Sequence, residues 1–334
     1  MNALVVGAGS VGQVFAHHLH CGGSDVSFLI RAARASEISP HLVLIPLNNR
    51  DARMNPAHFG SFDVLTEYSQ IEGQSWDQIY VCVPSSGLTN ELLEGIKAYA
   101  GNATIVKIQP GLEDLSRFTG HFEESQTVSG MVTFISYAAP LNGETVAEPG
   151  TAYWFPPLIK SQFSGSDVRV QAVVSALRAG GLPARAHRDV EALAGYVLAL
   201  EAPLIAGVEC AGWSFRRLRQ SHWLNVATQG IKEASEVVAA HQHSSPPVFM
   251  KLVNRLTIRL ALWFLPKGRV IPLEAYLEHH FTKVRAQSLQ HLDDYLERAL
   301  RYDIKVGSLS ELRNAIAAGA AAAQPSSRST TAAQ

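Results

Sequence analysis

Three glycines near the start of the chain have the spacing of a phosphate-binding loop. Gly7, Gly9 and Gly12, in the segment GAGSVG, fit the pattern G-x-G-x-x-G. Residues 3–6 before them form a short apolar run, and the apolar residues of the following segment, VGQVFAHHL, have helical spacing. A strand, a glycine turn and a helix in this order bind the pyrophosphate of a dinucleotide. Although a turn without a ligand is the alternative, we predict a cofactor-binding loop that consists of Gly7, Ala8, Gly9, Ser10, Val11 and Gly12.

The residues after the second predicted strand indicate which dinucleotide is bound. That strand, DVSFLI at residues 25–30, begins about twenty residues beyond the glycines, and Arg31 and Arg34 follow it. An NAD-preferring unit usually has Asp or Glu at this place, whereas two guanidinium groups suit the 2′-phosphate of NADP. We therefore predict NADP as the cofactor, with both arginines in contact with it. The alternative is that Arg31 and Arg34 are ordinary solvated surface residues.

Strand and helix patterns alternate in the first half of the chain. The segments LVLIPL, FDVLTEY, QIYVCVP and NATIVKIQPG predict further strands, and LTNELLEGIKAYA predicts a helix. This alternation indicates an α/β fold with a doubly wound parallel sheet. Two β-rich runs joined by PLNGE predict an antiparallel pair.

The second half of the chain has only helical patterns. We predict a nucleotide-binding domain over residues 1–188, an all-α domain over 189–312 for substrate binding and dimerisation, and a frayed low-complexity tail over 313–334. Apolar stretches such as LTIRLALWFLP suit a homodimer interface or a buried core.

Composition excludes several classes of function. The 334 residues are 47% apolar and 17% charged, with a net charge of −1, so no basic field favours nucleic acid or a membrane surface. Charged residues and proline interrupt the long apolar stretches, and the three cysteines lack metal-site or disulfide spacing. The histidines of HQHSSPP do not suggest a metal site. Because no secretory signal is recognised, we expect a cytoplasmic protein.

The combination of motifs resembles one enzyme family. VVGAGSVG, the arginine after the second strand, VKIQPGLED and the helical second half together resemble the ketopantoate reductase family, to about residue 312. The resemblance implies a Rossmann-type domain followed by a helical domain like that of 6-phosphogluconate dehydrogenase. It also implies NADPH-dependent reduction of a 2-oxo acid, in which a lysine supplies the proton. The family's positions near the cofactor fall on Val83, Pro84 and Gln109.

The chain departs from the family where the substrate would react. Pro84 stands at a family lysine near the cofactor, and Pro110 replaces the asparagine of a QNG turn. The family has a helix that carries its catalytic lysine and ends in a Pro-Leu pair. When that pair is aligned with Pro203 and Leu204 of this chain, Ala194 falls at the position of the lysine. Leu198 and Ala202 then fall at two asparagines that hold substrate. The resemblance therefore implies a divergent member whose physiological substrate is not ketopantoate.

A carboxyl group is the candidate replacement for the missing lysine. Glu201 and Glu209 are eight residues apart on one predicted helix face, and that face includes residues 194 and 198. A desolvated glutamate stays protonated and can act as a general acid, so we predict Glu201 as the catalytic residue. The alternative roles for Glu201 are a pair with Arg216 or Arg217 and a cap at a kink beside Pro203. Weaker candidate proton donors are Tyr137, Tyr196, His187, Glu278, His279 and His280.

Two functions remain open from the sequence. The first is an NADPH-dependent oxidoreductase that reduces a small oxo or imino acid in a cleft between the two domains. The second is a non-catalytic NADPH-binding protein, a sensor or structural partner derived from a reductase. The spacing of the glycine loop agrees with both functions. We favour the oxidoreductase, because an apolar cleft would still allow hydride transfer without the lysine.

Overall fold

The computed structural model describes residues 1–265 and 270–323. By its internal contacts the chain divides into two compact units. Unit 1 comprises Met1–Leu198 and Val270–His280, and unit 2 comprises Ala199–Arg269 and Phe281–Gln334. The division between Leu198 and Ala199 lies within a helix that begins at Val190. The domain boundary predicted between residues 188 and 189 stays a prediction.

Unit 1 contains all the described strands. They are β1 (Asn2–Val6), β2 (Asp25–Leu29), β3 (Leu42–Pro46), β4 (Ala57–Phe59), β5 (Asp63–Leu65), β6 (Gln78–Val81), β7 (Thr104–Lys107), β8 (Thr127–Met131), β9 (Ile135–Ala139), β10 (Gly150–Trp154), β11 (Ser161–Gly165) and β12 (Ala184–Ala186).

Eight of these strands form the main sheet, in the order β12-β11-β8-β7-β6-β1-β2-β5. Every neighbouring pair is parallel except β8 with β11. Alternate side chains of the central strands enter two cores, with Leu4 and Ile105 on one face and Val5 and Val106 on the other. Burial on both faces explains the continuous apolar runs of the sequence, and the predicted doubly wound sheet is confirmed.

A second sheet contains one of the strands predicted for the main sheet. Its order is β4-β3-β10-β9, in which β3 pairs parallel with β10 and β9 pairs antiparallel with β10. The antiparallel pair predicted around PLNGE is confirmed. The placement of LVLIPL in the main sheet is wrong, because Leu42–Pro46 pairs with β4 and β10 instead. The Thr151 hydroxyl on β10 donates to the Gln13 side chain, which ties this sheet to the helix after β1.

The helices follow the predicted division of the chain. They are α1 (Ser10–Cys21), α2 (Asn90–Tyr99), α3 (Asp114–Thr119), α4 (Asp167–Ala179), α5 (Val190–Cys210), α6 (Phe215–Gln220), α7 (Trp223–His241), α8 (Val248–Lys251), α9 (Arg255–Phe264), α10 (Leu273–Lys283), α11 (Arg285–Arg301) and α12 (Gly307–Ala323). From residue 190 on, the described part of the chain has helices and no strands, as predicted.

The last helix extends beyond the predicted start of the tail. Residue 313 lies inside α12, which continues to Ala323. Leu309, Leu312 and Ile316 are buried, so the helix has an apolar face, and alanine has the highest helix propensity. The prediction of a frayed tail from residue 313 is therefore corrected for residues 313–323. Residues 324–334 of that predicted tail lie outside the described residues.

One described helix, α5, is long and apolar enough to cross a membrane by length and composition. More than half of its most apolar segment is buried within the protein. Core helices have the same composition. Pro203 lies inside α5, and Gly230 of α7 lies against its ring in unit 2.

Candidate cofactor and active site

The main sheet has a crevice where its strand order reverses direction. From β1 the chain passes to β2 and β5 on one side, and then returns to β6 on the other side of β1. Ligands of open α/β sheets bind outside the carboxyl ends of the strands at such a point. The glycine segment follows β1, and Val83 and Pro84 follow β6, so both predicted cofactor segments border this crevice.

The glycine loop has the geometry of a pyrophosphate cradle. Gly7 has a φ of +98°, and its N–H donates to the Leu29 carbonyl of β2 at 2.9 Å. A Cβ at Gly12 would lie closer than 3.0 Å to the Gly7 carbonyl oxygen, so only glycine lets the helix approach the turn. A Cβ at Gly9 would meet no protein atom within 4 Å. The space beside Gly9 is therefore open, and these residues fit a bound pyrophosphate.

The start of α1 is free to accept an anion. The first helical hydrogen bond runs from the Gln13 N–H to the Gly9 carbonyl at 2.9 Å. Gly9 provides no side-chain cap, and the first turn has no acidic residue. The N–H groups of Ser10, Val11 and Gly12 thus precede the first intrahelical donor, at the positive end of the helix dipole. The Ala8 carbonyl accepts from the Gln13 side chain at 2.9 Å, which fixes the loop.

Arg31 and Arg34 lie beyond the carboxyl end of β2. A short 3₁₀ helix, Ala32–Glu37, begins after Arg31, and the Arg34 N–H donates to the Arg31 carbonyl at 2.8 Å. Both side chains are exposed. Because β2 is next to β1, the two arginines stand on the adenosine side of the crevice, where a 2′-phosphate would lie. Their contact with the cofactor stays a prediction.

Gln109 joins the ends of β6 and β7. Its side-chain N–H group donates to the Val81 and Val83 carbonyls, each at 2.7 Å, and its Oε1 accepts from the Ile108 N–H at 3.1 Å. A Cβ at Gly7 would lie 3.2 Å from the Val83 side chain, so Val83 borders the glycine loop. Gln109 therefore shapes the crevice by fixing the strand ends, and any direct contact of its side chain with a cofactor stays a prediction.

Pro84 and the residues after it form a second fixed turn at this edge. Pro84 precedes the 3₁₀ helix Ser85–Gly87. The buried Asp114 carboxylate accepts from the Ser85 hydroxyl and from the Gly111 N–H, each at 2.7 Å. A carboxylate bonded to a backbone N–H and a hydroxyl holds both loops in place. The turn from Pro84 and the turn at Gly111 thus present a rigid wall beside β6.

An ion pair that the sequence does not predict lies at the end of β7. The Lys107 ammonium donates to the Glu191 carboxylate at 2.7 Å and to the Gln109 carbonyl at 2.8 Å. Its side chain is 2% exposed, whereas that of Glu191 is 24% exposed. The two residues are 84 positions apart, so no local pattern joins them. The available signal was a lysine inside the apolar strand TIVK, where an ammonium is expensive to bury.

Comparison with known proteins agrees with this geometry. Residues 3–157 match the family model described as ketopantoate reductase PanE/ApbA. This part of the chain is similar to a ketopantoate reductase family domain. A search of curated proteins gives no match.

Solved structures of ketopantoate reductases and of a dehydrogenase share the fold. A ketopantoate reductase from Ralstonia eutropha JMP134 superposes with a TM-score of 0.67 at 16% identity, over 95% of this chain and 98% of the other. A 2-dehydropantoate 2-reductase from Methylococcus capsulatus gives 0.68 at 15%, over 99% of both chains. D-mandelate dehydrogenase with NADH gives 0.72 at 13%, over 97% and 100%. At these identities the likeness establishes the fold alone.

Glu201, the predicted acid, lies on α5 in unit 2. It is solvent-accessible, yet desolvation by the surrounding protein atoms raises the pKa of its carboxyl. Its charge contributes to raising the pKa of Tyr295, whose buried hydroxyl has no hydrogen-bond partner among the described residues. The Arg217 guanidinium bonds the Gly212 carbonyl, and no pair with Glu201 occurs in the described part of the chain. An accessible carboxyl with a raised pKa has the property of a general acid.

Glu209 has a different environment from Glu201 on the same helix. Its carboxylate pairs with the Arg285 guanidinium at 2.7 Å, and its side chain is 10% exposed. Desolvation raises the pKa of Glu209, and Arg285 partly opposes this shift. Glu209 is therefore a structural ion-pair partner.

The weaker candidates are engaged elsewhere in unit 1. The Tyr137 hydroxyl donates to Glu144 at 2.7 Å, and desolvation, followed by Glu144, raises its pKa. His187 accepts a bond from the Asp189 N–H, and His280 stacks on Tyr276. Among residues 1–265 and 270–323, no group of three or more His, Cys, Asp or Glu side chains could hold a metal ion. Glu278, His279 and Tyr196 are not brought into the glycine crevice by any described contact.

Proposed function

We propose that this protein is an NADPH-dependent oxidoreductase that reduces the C=O or C=N bond of a small oxo or imino acid other than ketopantoate. The coarser statement, an NAD(P)-dependent reductase, is supported by the ketopantoate reductase family match over residues 3–157. The fold shared with D-mandelate dehydrogenase, whose structure contains NADH, agrees with it.

The glycine cradle carries the proposal. A Cβ at Gly12 has no room, whereas the space beside Gly9 is open and lies at a helix start without an acidic residue. A glycine turn without a ligand has no need of both properties. This loop would hold the pyrophosphate, and the cofactor when bound supplies the hydride.

The preference for NADPH follows from the charge after β2. Arg31 and Arg34 are exposed cations at the place where an NAD-binding chain has a carboxylate. A carboxylate would accept the ribose hydroxyl and repel a 2′-phosphate, whereas guanidinium groups bind the phosphate. We therefore assign the 2′-phosphate contact to these two residues.

The altered α5 argues for a different substrate and a different acid. Ala194 and Leu198, which stand at the family's lysine and first asparagine, are buried apolar residues, and α5 contains no lysine. Protonation of the developing oxyanion or nitrogen requires an acid, and the raised pKa of Glu201 fits that role. We assign the proton to the Glu201 carboxyl. The second candidate function is a non-catalytic NADPH-binding protein, because the family's lysine and asparagines are absent from α5.

The experiment that tests the cofactor is a fluorescence titration with NADPH and NADH. Loss of one charge-assisted contact in Arg31→Ala should weaken NADPH binding about 10- to 150-fold and leave NADH binding unchanged. Lys97→Ala, which removes a charge from the exposed face of α2, is the matched control. Absence of NADPH binding by the unaltered protein would refute the proposal.

The experiment that separates enzyme from sensor is oxidation of NADPH against a panel of 2-oxo acids and imines. Turnover of a panel member that is lost in Glu201→Gln supports the reductase with Glu201 as its acid. Tight NADPH binding without turnover of any member supports the sensor instead.

A further inference from the structure

The Lys107–Glu191 ion pair is placed where it does little for stability. Lys107 is the one lysine that is fully buried among residues 1–265 and 270–323. Removing the Lys107 ammonium from water is costly, and a single ion pair repays only part of this cost. An apolar residue, like the adjacent Ile105 and Val106, would fill the end of β7 at lower cost. We therefore expect the ion pair to have a role other than stabilising the fold.

The position of the pair is at the ligand edge of the sheet. Lys107 is the last residue of β7, which pairs with β6, and β6 borders the crevice. Adjacent strands are about 4.8 Å apart, so the end of β7 lies about 10 Å from the end of β1. A dinucleotide whose pyrophosphate lies on the glycine loop extends across this crevice. Its nicotinamide half and the reacting group of the substrate would then lie beside β6 and β7.

Lys107 is buried, whereas Glu191 is partly exposed. The Lys107 ammonium is enclosed, and it also binds the Gln109 carbonyl, which belongs to the turn beside Val83. Glu191 lies in the first turn of α5 and keeps about a quarter of its side chain in contact with solvent. Lys107 thus fixes a partly exposed carboxylate to the strand end by a buried contact.

We propose that Glu191 is a binding residue of the reaction site and that Lys107 is the positioning residue that holds it there. The inference rests on the proposed function. A carboxylate fixed at this edge accepts a hydrogen bond from an N–H or O–H donor of the bound molecules. That donor belongs either to the carboxamide of the nicotinamide or to a hydroxyl, amino or imino group of the substrate.

Binding of two probes to Glu191→Gln tests the inference and separates the two sources. NADPH carries the carboxamide, whereas adenosine 2′,5′-bisphosphate lacks the nicotinamide half. If the carboxamide is the donor, the Kd of NADPH rises about tenfold or more, and that of the bisphosphate stays the same. If the substrate is the donor, both Kd values stay the same, and the KM of the best panel substrate rises by a similar factor. Glu94→Gln, on the exposed face of α2, is the control.

A double substitution separates positioning from packing. Lys107→Met alone leaves Glu191 without its buried partner, so we expect the same loss as in Glu191→Gln together with a lower Tm. Replacing both residues, Lys107→Met with Glu191→Leu, removes both charges and should restore the Tm. If the pair positions the ligand, binding or KM stays impaired in the double variant; recovery of both overturns the inference.

The outcomes for the inference and for the proposed function are distinct. Failure of the unaltered protein to bind NADPH removes the proposed function and this inference with it. Normal NADPH binding and KM in Glu191→Gln, with tight binding by the unaltered protein, overturns the role of Glu191 and leaves the proposed function standing.

Discussion

The glycine loop makes a prediction in which two similar substitutions have opposite effects. Gly12→Ala adds a methyl group closer than 3.0 Å to the Gly7 carbonyl oxygen and 3.2 Å from the Val5 side chain. Because both neighbours are backbone or buried core, the helix must move away from β1. Overpacking of this kind costs about 1–3 kcal/mol, and a unit of this size loses about 2–4 °C of Tm per kcal/mol. We expect the Tm of Gly12→Ala to fall by about 2–12 °C.

Gly9→Ala adds the same methyl group where no protein atom lies within 4 Å. The φ of Gly9 is −71°, which alanine adopts without strain. Its Tm should therefore be unchanged or slightly higher, because alanine lowers the entropy of the unfolded chain. The methyl group instead occupies the space that we assign to the pyrophosphate, so the Kd of NADPH should rise by about tenfold or more.

Thermal melts by circular dichroism and NADPH titrations of both variants give the measurement. NADPH binding by Gly9→Ala at the affinity of the unaltered protein would refute the assignment of the loop to a pyrophosphate. An unchanged Tm for Gly12→Ala would refute the steric argument, and with it the reason for glycine at that position.

Three further predictions concern unit 2. Because the folded state raises the pKa of Glu201, stability is lost as pH rises above its ordinary value near 4.5, so the Tm of Glu201→Gln relative to that of the unaltered protein should increase as the pH rises above about 4.5. Arg285→Met leaves the largely buried Glu209 unpaired and should lower the free energy of urea unfolding by about 1–3 kcal/mol; an unchanged midpoint would contradict this. We propose that a second copy covers the apolar side chains exposed on α8, on α9 and at the residues directly after each helix, among them Leu256, Leu260 and Trp263, since about eight such residues offer on the order of 800 Å². Leu260→Glu should then give a monomer in light scattering, and a monomeric unaltered protein would refute the dimer.

The sequence predicts well those parts of the fold that depend on neighbouring residues. The glycine spacing, the strand before it and the helix after it are local, and each is confirmed by the structure. The antiparallel strands around Asn142 and Gly143 also have a local signal, with Gly143 at a φ of +83°. Burial of the central strands on both faces is visible as runs of β-branched residues.

The parts that were missed depend on residues far apart in the chain. The apolar pattern of β3 predicts a strand correctly, but its partner β10 is selected by pairing that no local pattern encodes. Lys107 and Glu191 meet for the same reason, because strand β7 and helix α5 are brought together only by the folded unit. The alanine-rich sequence of α12 predicts a low-complexity tail, but the burial of Ile316 shows that a tertiary contact supports the helix.

The second sheet has a consequence for the order of folding. Its strands come from two separate excursions of the chain, since β3 and β4 lie between β2 and β5, and β9 and β10 lie between β8 and β11. The contact of Asn48 with Phe155 beside this sheet closes a loop of 107 residues. During synthesis the edge of β3 that pairs with β10 therefore stays unpaired until residues 150–154 leave the ribosome. Such an unpaired edge is a template for aggregation. Nascent chains that stall before β10 would be clients for chaperones, although β1, β2, β5, β6, β7 and β8 of the main sheet have already been synthesised.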